Sequence, residues 1–134
     1  MKQELIADLQ YQFNLVAHNT DDENVEFWYA RDLQVVLGYQ SWDKFKNVIE
    51  KAMVTCENSG IEVFFFFFHV GKMVEIGSNA QREIKDIVLT RYACYLIAQN
   101  GDSSKEQIAF AQTYFALQTR KQELIEQRIE LEDR

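Results

Sequence analysis

Proline is absent from the 134 residues. No helix is therefore broken by a missing backbone donor, and few long loops are expected. Cysteine is scarce. Cys56 and Cys94 give neither a disulfide framework nor metal-ligand spacing, and both read as reduced thiols. No apolar stretch approaches the roughly 20 residues that span a bilayer, which excludes a membrane helix. The opening MKQELIADLQ lacks the apolar core of an export signal, so the expected compartment is the cytoplasm. Positive charge is also in deficit, with 14 Lys and Arg against 21 Asp and Glu, a formal charge of −7. That balance argues against a globally basic, nonspecific nucleic-acid binder and leaves room only for a local basic surface.

Catalytic patterns are missing too. There is no GxSxG, HExxH, CxxC or Gly-rich phosphate loop. His18 and His69 stand at a helix end and in an expected turn, without an acid or nucleophile in pattern. Asp21-Asp22-Glu23 lacks the spacing of a calcium loop. The expectation is no enzyme activity, no cofactor, no metal and no small-molecule substrate.

What is present is apolar content of 47%, enough for one packed core in a single domain spanning residues 1–134. Leu5, Leu9 and Phe13 recur at helical spacing and predict a helix over 2–17, before the core over 25–101. Val25 to Tyr29 reads as a short strand. Ala30 to Leu37, Gly38, and a second helix capped by Ser41 and running to Glu57 form a helix-turn-helix-like pattern. The segment Ile61–Phe68, which holds the run Phe64–Phe68, reads as a strand turning at Gly71 into Lys72–Ile76, a β-hairpin, with the phenylalanines buried in the core or, as the alternative, forming an oligomer contact. Ser78 and Gln81 have the spacing of a capping box, predicting a helix from there to Asn100. Ser103 and Glu106 repeat the pattern, predicting a last helix over 104–134, about 45 Å long. Its end carries no stop signal and reads as cut off within the helix.

Candidate binding residues follow from this layout. Lys44 and Lys46 sit early in the second helix of the pair, where a recognition helix meets DNA. Arg82 and Lys85, three apart on the predicted helix, share a face near its start, where Gly77-Ser78-Asn79 offers amides to a phosphate. Arg91 lies further along that helix. Phe110, Leu117, Leu124 and Leu131 recur every seven residues as half of a heptad seam, a candidate protein interface.

Two blocks carry a family resemblance. Trp28-Tyr29-Ala30-Arg31-Asp32-Leu33 followed by Leu37-Gly38-Tyr39 resembles the signature of BRO-N-type domains of phage antirepressors. The segments 73–102 and 111–124, with Cys56–Gly60, are similar to the N-terminal part of the DNA-damage-inducible protein D family (DinD). The likeness covers roughly residues 25–128, and the phenylalanine run departs from it. It implies a BRO-N-like domain acting in the bacterial SOS response, on DNA or on the recombination machinery. The expected fold is α+β, mostly helical, with a small antiparallel sheet and a long C-terminal helix. The leading function is a non-enzymatic DNA-binding or recombination-modulating module. The alternative is a protein-interaction or oligomerisation module working through the last helix. Partners are thus DNA of unspecified form, recombination proteins, or a second copy of the chain.

Overall fold

A computed structural model describes residues 3–22 and 24–132. Met1, Lys2, Glu23, Asp133 and Arg134, and the side chain of Leu5, which the sequence-based ranges include, lie outside the described residues. Helix α1 (Gln3–Leu15) buries Leu9 and Phe13, the two described members of its apolar stripe. Strands β1 (His18–Asn19) and β2 (Glu26–Tyr29) pair antiparallel, so the histidine expected at a helix end belongs to a sheet. Trp28 enters the core from β2. Its ring stacks on Phe13 at 4.5 Å, and its indole N–H donates to the Phe13 carbonyl at 3.0 Å, so the buried polar atom is satisfied.

The helix pair forms as its caps predict. Helix α2 (Ala30–Val36) closes at Gly38, whose φ of +78° suits glycine, and a Cβ there would meet the Gln107 side chain at 2.9 Å. Helix α3 (Trp42–Asn58) starts at Ser41, whose hydroxyl accepts from the Lys44 amide. Phe45, Ile49, Ala52 and Cys56 face the core.

The middle of the chain departs from expectation. Val63–Phe65 forms a single 3-10 turn, and the hairpin lies later and is longer, β3 (Phe67–Gly77) with β4 (Ala80–Leu89). Gly71 and His69 lie within β3 rather than in a turn. Chain reversal falls at Ser78 and Asn79, with φ of 45° and 64°. Two consecutive positive φ values make the loop of a two-residue hairpin matched to strand twist. The helix predicted from Ser78 therefore begins only at α4 (Arg91–Gln99), where the Thr90 hydroxyl accepts from the Ala93 amide. Nor are the phenylalanines uniformly buried. Phe67 is in the core, whereas Phe64 and Phe65 are exposed.

The sheet order is β1-β2-β4-β3, antiparallel throughout. Its base is packed by α2 and α4, with Phe13 of α1 on Trp28, and α5 (Glu106–Glu132) packs in turn on α4 and α1, while the half of the β3–β4 ribbon nearer the turn is largely solvent-exposed. Helix α5 starts two residues later than predicted. The capping-box serine is not the acceptor at its entry, because the Asp102 carboxylate takes both the amide and the hydroxyl of Ser104. Those bonds hold the Asp102 carboxyl below its usual range. Ile108, Phe110, Ala111 and Phe115 bury the first half of α5, and Leu117, Leu124 and Leu131 on its second half are exposed. The architecture is the mostly helical α+β fold with a small antiparallel sheet and a long C-terminal helix that the sequence predicted.

Candidate nucleic-acid interface

The helix pair presents α3 as its outer helix. Lys44 and Lys46 are both exposed and form no ion pair among the described residues. Two residues apart on a helix, they leave on opposite flanks. Asp43, Glu50 and Glu57, spaced by seven, run between them, so α3 carries no continuous positive stripe. Between the two helices the Arg31 guanidinium lies 4.2 Å from the centre of the Trp42 ring and donates to the Lys85 carbonyl at 2.8 Å. Arg31 thus ties the helix pair to β4.

Arg82 and Lys85 occupy the ribbon, not a helix. Three positions apart on a strand they project from opposite faces, so the shared face expected for them is not formed. No helix starts at Gly77–Asn79, and the proposed phosphate site at a helix N-terminus is absent with it. Both side chains are exposed, and neither forms an ion pair among the described residues. Arg91 differs. Its guanidinium contacts the Glu26 carboxylate at 2.9 Å and sits over the Trp28 ring at 5.2 Å. Burial would lower its pKa, but the bonds it donates to Glu26 and Tyr114 outweigh that and raise it, so the charge is permanent and already matched. The five predicted cations do not converge on one patch.

A group that sequence reasoning passed over lies on the sheet. Cross-strand register puts His18, Phe27, Tyr29, Phe68, Lys72 and Arg82 on the face opposite Trp28 and Leu89. His18 stacks on Phe27 at 5.3 Å, and Tyr29 meets both edge-on, at 5.1 and 5.6 Å. The Lys72 ammonium lies 3.8 Å from the centre of the Tyr29 ring and 3.5 Å from the buried Asp86 carboxylate. Asp86 also accepts from the Arg31 amide at 3.1 Å, so it serves as the missing side-chain cap of α2. The alternation Phe27-Trp28-Tyr29 was the available signal. Only the pairing of distant strands completes it.

The predicted interface residues divide. Phe110 is buried in the chain's own core, stacked on Tyr114 at 5.9 Å, while Leu117, Leu124 and Leu131 face solvent. Among the described residues no group of His, Cys, Asp and Glu could hold a metal ion, and no helix is long and apolar enough to cross a membrane.

The family model described as "BRO family, N-terminal domain" matches residues 16–116. Among curated proteins, DNA damage-inducible protein D of Escherichia coli (strain K12) is 54% identical over 99 residues. The match takes in 74% of this chain and 36% of that protein, so the chain spans about a third of its relative's length. No solved structure gives a significant match.

Proposed function

The chain belongs to the BRO family, N-terminal domain, and from that premise we propose that it is a non-catalytic, DNA-binding regulatory module of the bacterial DNA-damage response, acting in the cytoplasm. The damage context comes from the likeness to DNA damage-inducible protein D. The observation that carries DNA contact is that Lys44 and Lys46 on α3 and Arg82 and Lys85 on the ribbon are exposed and, among the described residues, free of ion pairs, as are Lys51, Lys105 and Lys121 elsewhere. Ion pairs elsewhere engage Lys72, Arg91, Arg120 and Arg128. Cations without a carboxylate partner reach phosphates with no ion pair to give up.

Fluorescence anisotropy on labelled single- and double-stranded DNA at about 50 mM salt tests the reading. Binding that weakens in Lys44→Glu/Lys46→Glu and in Arg82→Glu/Lys85→Glu supports it. No binding to either DNA, or binding indifferent to both pairs of substitutions, overturns it.

A second reading is favoured by α5. Leu117, Leu124 and Leu131 are exposed along a half-helix that projects past the packed core, a surface suited to a recombination protein or a second copy of the chain. Light scattering of the whole chain against one ending at Phe115 tests it. A monomer in both, with no protein partner recovered by pull-down, removes this reading.

A further inference from the structure

Strand register sorts side chains in a way the free cations alone do not explain. Glu26, Glu75 and Glu83 all project on the side of Trp28 and Leu89. The other side carries His18, Phe27, Tyr29 and Phe68 with Lys72 and Arg82. The carboxylate that the strands place on this second side is Asp86, which is fully buried and held by Lys72 and the Arg31 amide.

We propose that this ring-bearing face of the sheet is a stacking platform for the bases of a single-stranded nucleic acid. The proposal rests on the DNA-binding reading above and adds to it a surface and a strand form. His18 and Phe27 lie nearly parallel, 22° apart, with His18 exposed, so their stack ends open to solvent. A base added there continues the stack. Phe68, 43% exposed and two strands away, extends the apolar surface across the sheet. Lys72 and Arg82, further along the ribbon on the same side, lie where a backbone leaving the rings is met by positive charge.

The geometry selects the strand form. A duplex hides its base faces in its own stack, so rings on the face of a sheet find nothing in it to stack on. A single strand offers every base face, and rings on a sheet meet them regardless of sequence. A protein partner could also cover exposed rings. Its carboxylates would suit Lys72 and Arg82 but would not need parallel rings, so the nucleic acid is the better fit.

The test uses the whole chain and a labelled oligo-deoxythymidine of about 20 residues, with the oligo-uridine and a duplex of the same length beside it. We expect wild type to prefer the single strands, and His18→Ala/Phe27→Ala to weaken that binding about tenfold. Phe27→Tyr keeps the ring and keeps the affinity within about twofold. Preference between the deoxythymidine and uridine strands identifies the source, and binding to either supports the platform. Ring removal without loss of single-strand affinity overturns it, as does binding to duplex alone, and in both cases DNA binding itself stands. No binding to any of the three overturns both readings. Ultraviolet cross-linking of wild type provides a check that does not depend on the variants folding. Cross-links in peptides spanning residues 18–29 are expected, and cross-links confined to α3 count against the platform.

Discussion

Among the described residues Asp86 is the charged side chain held fully out of solvent. Its carboxylate accepts from the Arg31 and Ile87 amides at 3.1 and 2.8 Å and faces Lys72. One residue therefore caps α2, fixes the ribbon's base and anchors the ammonium over Tyr29. Asp86→Ala leaves the Arg31 amide without its acceptor, and urea unfolding should show a loss of about 2–4 kcal/mol. Asp86→Asn keeps an acceptor and should lose less. Lys72→Ala should cost more than a surface pair but less than Asp86→Ala, because the lysine is 37% exposed and water already screens it. Equal losses for Asp86→Ala and Lys72→Ala would show that the cap contributes nothing beyond the ion pair. The two thiols behave oppositely to a reactive cysteine. Cys56 and Cys94 are fully buried, and burial pushes the Cys94 thiol far above its ordinary range. A thiol reagent at pH 8 should therefore find neither group in the native chain and both after denaturation.

The turn between α2 and α3 was legible in the sequence, whereas elements defined by strand pairing were not, nor was the α4 start, although the Thr90 side chain caps it. Gly38 closes α2 and Ser41 opens α3, each suited to its position for local reasons, and both fell where expected. Ser78 misled because serine, asparagine and glycine suit a helix start and a tight hairpin alike. Its spacing to Gln81 imitates a capping box, whereas the β-branched Ile84, Ile87 and Val88 ahead of Thr90 favour a strand that ends in a true cap. Moving that boundary moved the candidate site, since Arg82 and Lys85 changed from neighbours on a helix to opposite sides of a strand. The ring cluster was unreadable for a different reason. His18, Phe27 and Lys72 come from three strands, and only their register puts them on one face. The same turn gives a prediction. Ser78→Val puts a β-branched residue at φ of 45°, which costs about 1–2 kcal/mol. Because the outer ribbon is solvent-exposed, the cost should appear as faster amide exchange at Gln81 to Glu83, with the melting temperature of the core nearly unchanged. A large drop in melting temperature would mean that the ribbon folds as one unit with the helical layer.

At the scale of the whole molecule the charge of −7 sets how binding must work. The net field repels polyanions at long range, so it neither steers DNA in nor supplies affinity through counterion release over a broad patch. Affinity has to come from short-range contacts, and the two candidate surfaces differ in how many phosphates they reach. Lys44, Lys46, Arg82 and Lys85 engaging a duplex would neutralise up to four, giving a slope of log K against log salt of about −3.6. The ring face has Lys72 and Arg82 beside it. A single strand held there, mostly by stacking, should show a slope of only about −1.4, at roughly −0.7 per phosphate. Measuring anisotropy across a salt series on both DNA forms separates the two. A shallow slope on the single strand that is lowered further by Arg82→Glu places that cation beside the rings. A steep slope on the single strand, unaffected by removing the rings, would assign binding to the scattered lysines and arginines and leave the sheet face for another partner.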